Sequence, residues 1–124
     1  MSEPSAVERV IDAYCAAWNE PDRARRREML SAVWRAEATY TDPTAHVAGV
    51  DQLVAHIEKV LARRPGARVV RTSAVDAHHG FVRFAWRVVQ ADGTLLPEGI
   101  DFAEVDNDGA IRGVVGFFGP LAAR

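Results

Sequence analysis

The sequence predicts an α+β domain, with helices first and a strand meander after, the helices packed on one face of an antiparallel sheet. Three observations carry that prediction. Apolar residues in the first half recur at helical spacing, as in Val7, Ile11, Tyr14 and Trp18. The second half switches to a two-residue period, where Val82, Phe84, Trp86 and Val88 alternate with Arg83, Ala85 and Arg87. Turn signals, above all Asp106-Asn107-Asp108-Gly109, separate the alternating runs. One domain, 1–124, fills the chain, and residues 1–5 are expected to be disordered.

The first helix is predicted from Ser5 to Asn19. Val10 and Ala17 widen its stripe, Pro4 and Ser5 suit its start, and Asn19-Glu20-Pro21 ends it. Tyr14 then lies on the buried face, where its hydroxyl needs a partner. Taken alone, a core tyrosine bonded to a backbone carbonyl is the simpler reading. A second helix covers Asp22 to Val33, with Met29, Leu30, Val33 and Trp34 turned inward, and Ala38-Thr39-Tyr40-Thr41 reads as a short strand. The third helix spans Asp51 to Arg63 on the stripe Val54, Ile57 and Leu61, with Asp51 as its N-cap and Arg64-Pro65-Gly66 as its stop. Strands follow at Val69 to Val75, Phe81 to Gln90, Gly99 to Val105 and Ile111 to Phe118, with turns at Asp76 to Gly80, Ala91-Asp92-Gly93 and before Ile111.

Composition narrows the function classes. A formal net charge of −2 gives no broad pull toward nucleic acid or an anionic membrane. The densest basic group, Arg23, Arg25, Arg26 and Arg27, reads as the solvated face of a helix. Cys15 stands alone in an apolar helical stretch and reads as a small buried hydrophobe, with no intramolecular disulfide open to it. The start of the chain lacks a signal peptide's basic and apolar regions, and no apolar run approaches the ~20 residues that span a bilayer. A soluble cytoplasmic protein is the expectation.

The stretch Tyr40-Thr41-Asp42-Pro43-Thr44-Ala45-His46-Val47-Ala48-Gly49 sets a carboxylate at the seam between a strand and a helix. Pro43 steers Asp42 away from helical dihedrals and, having no N–H, ends the strand. Its neighbours are small or apolar, so the chain reads as a cup around a cavity with Asp42 on the wall. Asp101 is the next informative residue. Alternation along Gly99-Ile100-Asp101-Phe102-Ala103 puts it on one face with Ala103 and Val105, opposite Glu104, and so pointing inward. Such a carboxylate can pair with an arginine, face solvent at an edge, or sit protonated beside a cavity. His78 and His79 fall in a turn, and His46 and His56 have no spacing that specifies a metal. No phosphate-binding glycine loop and no Gly-x-Ser-x-Gly elbow occurs, which argues against nucleotide and hydrolase chemistry. The tryptophans and phenylalanines read first as packed core, as most such residues are, and their excess near Asp42 and the strands also suits an apolar pocket.

The residues Val10-Ile11-Asp12-Ala13-Tyr14-Cys15-Ala16-Ala17-Trp18-Asn19, Tyr40-Thr41-Asp42-Pro43, Gly49, Gly99-Ile100-Asp101-Phe102 and Gly116-Phe117-Phe118-Gly119 resemble the nuclear transport factor 2-like superfamily, in its ketosteroid isomerase and SnoaL-like branch. The resemblance runs from Val7 to Pro120. It implies three helices on a sheet curved into a cone-shaped pocket. It also implies a general base at Asp42 and an oxyanion hole of Tyr14 and protonated Asp101, with Phe118 among the aromatics of the pocket. Ile57 stands where some isomerases carry a supporting tyrosine, and the loop from Asp42 to Gly49 is shorter than in the steroid enzymes.

The function so implied is cofactor-free proton transfer on an apolar carbonyl compound, an isomerisation or a cyclisation, with no metal. Trp18, Trp34, Phe84, Trp86 and Phe118 would shape the substrate pocket. An outer sheet face carrying Phe102 and Phe117 would pair two copies into a homodimer. Two other readings keep the fold and drop the chemistry: a binder of hydrophobic metabolites, and a dimeric scaffold with its cavity filled by side chains.

Overall fold

The computed structural model describes residues 5–124. Helix α1 (Ala6–Trp18) starts on Ser5, whose hydroxyl accepts from the Glu8 N–H at 3.1 Å, and closes at Asn19. The expected disorder of residues 1–5 falls, for 1–4, outside the described residues, and Ser5 serves as a cap. Helix α2 (Arg23–Ser31) is capped by Asp22 and ends before Trp34, which opens β1 (Trp34–Asp42). The helix thus ends two residues before the predicted Val33, and Trp34, turned inward as predicted, opens the strand. The physical reason is backbone pairing: the Ile111 N–H donates to the Val33 carbonyl at 2.6 Å, and the pairing with the last strand draws the segment out of helix.

Strand β2 (Ala45–Ala48) occupies what reads in sequence as loop, folding back on β1 across Pro43-Thr44. Helix α3 (Gly49–Arg63) follows at once. Its N-cap is Ala48, whose N–H donates to Gln52 Oε1 at 2.9 Å, and Asp51 sits inside the first turn paired to Arg27 at 2.7 Å. The remaining strands are β3 (Arg68–Arg71), β4 (Asp76–His78), β5 (Phe81–Val89), β6 (Gly99–Val105) and β7 (Ile111–Phe118). The predicted strand over 69–75 is thus shorter, and the predicted turn over 76–80 holds β4. The reversal itself is carried by His79 and Gly80, both at positive φ.

The sheet runs in the order β2-β1-β7-β6-β5-β3, with β4 also on β5. It is mixed and not antiparallel as predicted, because β1 and β7 run parallel. Direction is set by connection length: a tight hairpin forces antiparallel pairing, but β1 and β7 are separated by a helix and five strands. Inside the curve lie Ile11, Leu30, Leu53, Ile57 and Ile111, all fully buried, each stabilising the fold by roughly 2 kcal/mol. No helix among the described residues is long and apolar enough to cross a membrane.

One arginine departs from the solvated face assigned to its group. Arg23 and Arg27 pair with Glu58 and Asp51 at the surface, but Arg26 is 2 % exposed. Its guanidinium donates to the Glu20 carbonyl at 3.0 and 2.7 Å and to Pro21 at 3.3 Å, stapling the link between α1 and α2.

Candidate active site

The local chemistry of the β1–β2 turn fixes the first acid. Asp42 and Ala45 are paired across Pro43-Thr44. Proline presets the dihedral at the first turn position, and an aspartate before it accepts from the backbone two residues on. Asp42 Oδ1 accordingly accepts from the Thr44 N–H and hydroxyl, both at 2.7 Å. Its Oδ2 accepts from the Tyr40 hydroxyl at 2.6 Å. Tyr40 is two residues upstream on the same strand, and so on the same face.

Asp101 faces the same space from β6. Its register partner on β7 is Gly116, and the neighbouring β1–β7 pairing Thr41–Val115 brings Asp42 to the other side of that glycine. A Cβ on Gly116 would sit 2.7 Å from Asp101 Oδ1 and 3.7 Å from the Asp42 Cβ. The bare glycine makes the gap that both acids flank. Gly99 does the same for Trp86: a Cβ there would collide with the indole ring. Lying over Gly99, Trp86 reaches along β6 and donates its Nε1–H to Asp101 Oδ1 at 2.8 Å.

The two carboxyls are driven in opposite directions. Burial is the largest influence on Asp101 and raises it to about 7; the Trp86 bond opposes this and the charge of Asp42 adds to it. Burial also pushes Asp42 upward, but the bonds from Tyr40 and Thr44, with a smaller contribution from His56, outweigh it and leave its pKa lowered. Asp42 is thus the ionised acid at neutral pH, and Asp101 is split between its two forms.

Tyr14 approaches from α1. It is 1 % exposed, and its hydroxyl has no hydrogen-bond partner among the described residues. Burial first, then the nearby Asp101, hold the phenol well above its ordinary pKa, while the Trp18 indole lies close enough to oppose this slightly without a bond of normal geometry. A cavity of about 640 Å³ lies between these groups, lined by Tyr14, Asp42, Asp101, Trp18, Phe84, Trp86 and Phe118 among others. Cavities of this size take small organic molecules.

Seven of the eight residues named from sequence therefore meet at one cavity. Trp34 does not: it lies behind Tyr14, ring on ring at 5.9 Å and 12°, and supports the phenol from the core. Sequence reasoning passed over two neighbours of Asp42. Tyr40 was within reach of strand alternation. His56 was not, since it comes from α3. It packs against Trp18 and Tyr40 with Nε2 3.7 Å from Asp42 Oδ2, and burial lowers its pKa against the pull of Asp42. Among the described residues no group of three or more His, Cys, Asp or Glu side chains could hold a metal ion.

The fold and sequence have relatives. The SnoaL-like domain family matches residues 11–114. A proposed isomerase of the SnoaL-like family from Agrobacterium tumefaciens shares 34% identity, with a TM-score of 0.87 over 93% of this chain and 98% of that one. A proposed SnoaL-like polyketide cyclase from Jannaschia is 14% identical at a TM-score of 0.67, over 94% and 90% of the two chains. A protein of ketosteroid isomerase-like fold from Catenulispora acidiphila, in complex with trimethylamine, is 16% identical at 0.71 over 89% and 85%. These last two are likenesses of fold alone. No curated protein matches the sequence. A match over most of the chain, and a relative one-third identical along nearly all of it, make this protein a member of the SnoaL-like family.

Proposed function

We propose that the protein is a cofactor-free enzyme that moves a proton next to a carbonyl group, by isomerisation or cyclisation of an apolar substrate. One observation carries the reading: two carboxyls flank one glycine on the wall of a single cavity, one held ionised and the other held toward its neutral form. Pairs of acids pushed apart in this way divide into a base and a donor. Asp42 takes a carbon-bound proton and returns it to another atom, acting as general base and then acid. Tyr14 and protonated Asp101 donate to the oxygen of the enolate as negative charge gathers there. Preorganised donors each lower such a barrier by roughly 3 kcal/mol. Trp18, Phe84, Trp86 and Phe118 keep water from the reacting carbon and hold a flat ring system.

Deuterium uptake by 2-tetralone, followed by NMR in heavy water, tests the reading. The wild type is expected to speed the exchange, and Asp42→Asn to lose about 10³-fold of that rate while still binding the ketone. Equal exchange by the variant removes Asp42 as base.

A specific observation favours the second reading, a hydrophobic-metabolite binder. Asp42 already accepts three hydrogen bonds, two of which build its own turn, so its conformation has a structural reason independent of chemistry. That reading predicts ligand uptake with no exchange in either protein.

The occupant assigned to the outer sheet face is a second copy of the chain. Ile100, Phe102, Val115 and Phe117 are 42–56% exposed there, and Phe102 and Phe117 pack edge to face at 6.0 Å.

A further inference from the structure

The charges of α3 are sorted by face. Its acids turn toward α2, where Asp51 pairs with Arg27 and Glu58 with Arg23. Gln52, His56, Lys59 and Arg63 recur three or four positions apart and so form a separate stripe. That stripe borders a shallow groove of about 410 Å³ against β2, which contributes His46. No aspartate or glutamate lines this groove. In a chain of net charge −2, a wall with a lysine, an arginine and no acid is a local excess of positive charge and not the trend of the surface.

The lysine and the arginine are also uncommitted, whereas His56 faces Asp42 at 3.7 Å. Among the described residues Lys59 and Arg63 take part in no ion pair, and both are exposed. Among the described residues the Arg64 guanidinium donates to the neutral Gln90 Oε1, at 3.1 Å, and to no acid. His46 engages Thr41 through Nδ1 at 2.7 Å, which leaves Nε2 for the groove. The negative end of the α3 dipole favours Arg63 and Arg64 wherever they point. It accounts neither for His56 in mid-helix nor for His46 arriving from another element.

The groove is continuous with the candidate active site. Thr44, Val60 and Arg63 line both, and Arg64 lines the main cavity. The cavity is polar in two opposed ways: the carboxyl groups of Asp42 and Asp101 are buried, and its cations, Arg63 and Arg64, are exposed. An anionic ligand is drawn to the cationic side by long-range attraction and is repelled from the ionised floor.

We propose that the ligand carries an oxyanion substituent, a carboxylate or a phosphate, seated in this groove by Lys59 and Arg63 with Arg64 beside it, while its apolar carbonyl body enters the cavity. This rests on the proton-transfer reading only in treating the ligand as a substrate; the binding preference stands apart from it.

Calorimetry at low ionic strength tests the assignment with 4-acetylbenzoate, its methyl ester and 4-acetylphenyl phosphate. The wild type is expected to bind the carboxylate about tenfold more tightly than the ester. Lys59→Gln with Arg63→Gln is expected to erase that preference, the carboxylate losing about tenfold more affinity than the ester, and the charge-conserving pair Lys59→Arg with Arg63→Lys to keep it. A phosphate bound more tightly than the carboxylate names phosphate as the substituent, and the reverse order names carboxylate. Equal wild-type affinity for acid and ester, including no measurable binding of either, overturns the proposal. So does a glutamine variant that keeps the preference or weakens the ester equally. Absent deuterium exchange with the preference intact would overturn the proton-transfer reading and not this one.

Discussion

Asp101 is where the proposed function and stability oppose each other. Its pKa is raised from an ordinary 3.8 to about 7, chiefly by burial. Since the folded value lies above the unfolded one, the stabilising contribution of the neutral acid is complete below pH 3.8. It is lost progressively as pH rises to about 7. At ~1.4 kcal/mol per unit, the alkaline protein forgoes about 4 kcal/mol at this one side chain. Asp101→Asn removes the ionisation and keeps a donor, so it is expected to raise the melting temperature at pH 8 and to change it little at pH 4. If Asp101 donates to the enolate, exchange by the wild type declines as pH rises through about 7, and the asparagine variant loses that decline. Thermal melts and rates across pH read both. Local pattern gave only the facing of the three polar residues, by a helix stripe, an Asp-Pro turn and an alternating strand; their grouping as one site came from the family resemblance. Tyr40 shares the face of Asp42 and was legible in principle. His56 was not, because its meeting with Asp42 is made by the packing of α3 on β1 and leaves no spacing rule behind.

At the scale of elements, the link between α1 and α2 depends on a single buried cation. Arg26 satisfies the carbonyls of Glu20 and Pro21 while itself almost wholly enclosed. Arg26→Ala leaves those carbonyls without donors and opens a void, and is expected to cost roughly 3 kcal/mol in urea unfolding. A surface arginine such as Arg25, held only by a 4.0 Å contact, is expected to cost less than 0.5 kcal/mol, as surface substitutions usually do. Both arginines look alike in sequence, since they lie in one polar run; only the backbone of the preceding loop distinguishes them. The same limit explains β1 and β2. Helices α1 and α3 and strands β5 and β6 are announced by periodicity within themselves. The length and direction of β1 are set by β7, far along the chain, and the strand opens at Trp34, ahead of the predicted Ala38, for that reason.

For the whole molecule, curvature gives the sheet two unlike faces: an inner one that encloses the cavity and an outer one with exposed aromatic rings. Placing glutamates at Phe102 and Phe117 is expected to convert a dimer to a monomer by light scattering, with the cavity and the exchange rate retained. A wild type that is monomeric at micromolar concentration would remove the second copy as occupant. The central claim is that one hollow holds two acids in opposite states. Carboxyl carbon NMR of the aspartate-labelled protein, titrated from pH 3 to 9, measures that directly. The account predicts that Asp101 titrates near 7 and that Asp42 remains ionised to below its ordinary 3.8. Two ordinary carboxylate titrations, or a high value at Asp42 in place of Asp101, would contradict it.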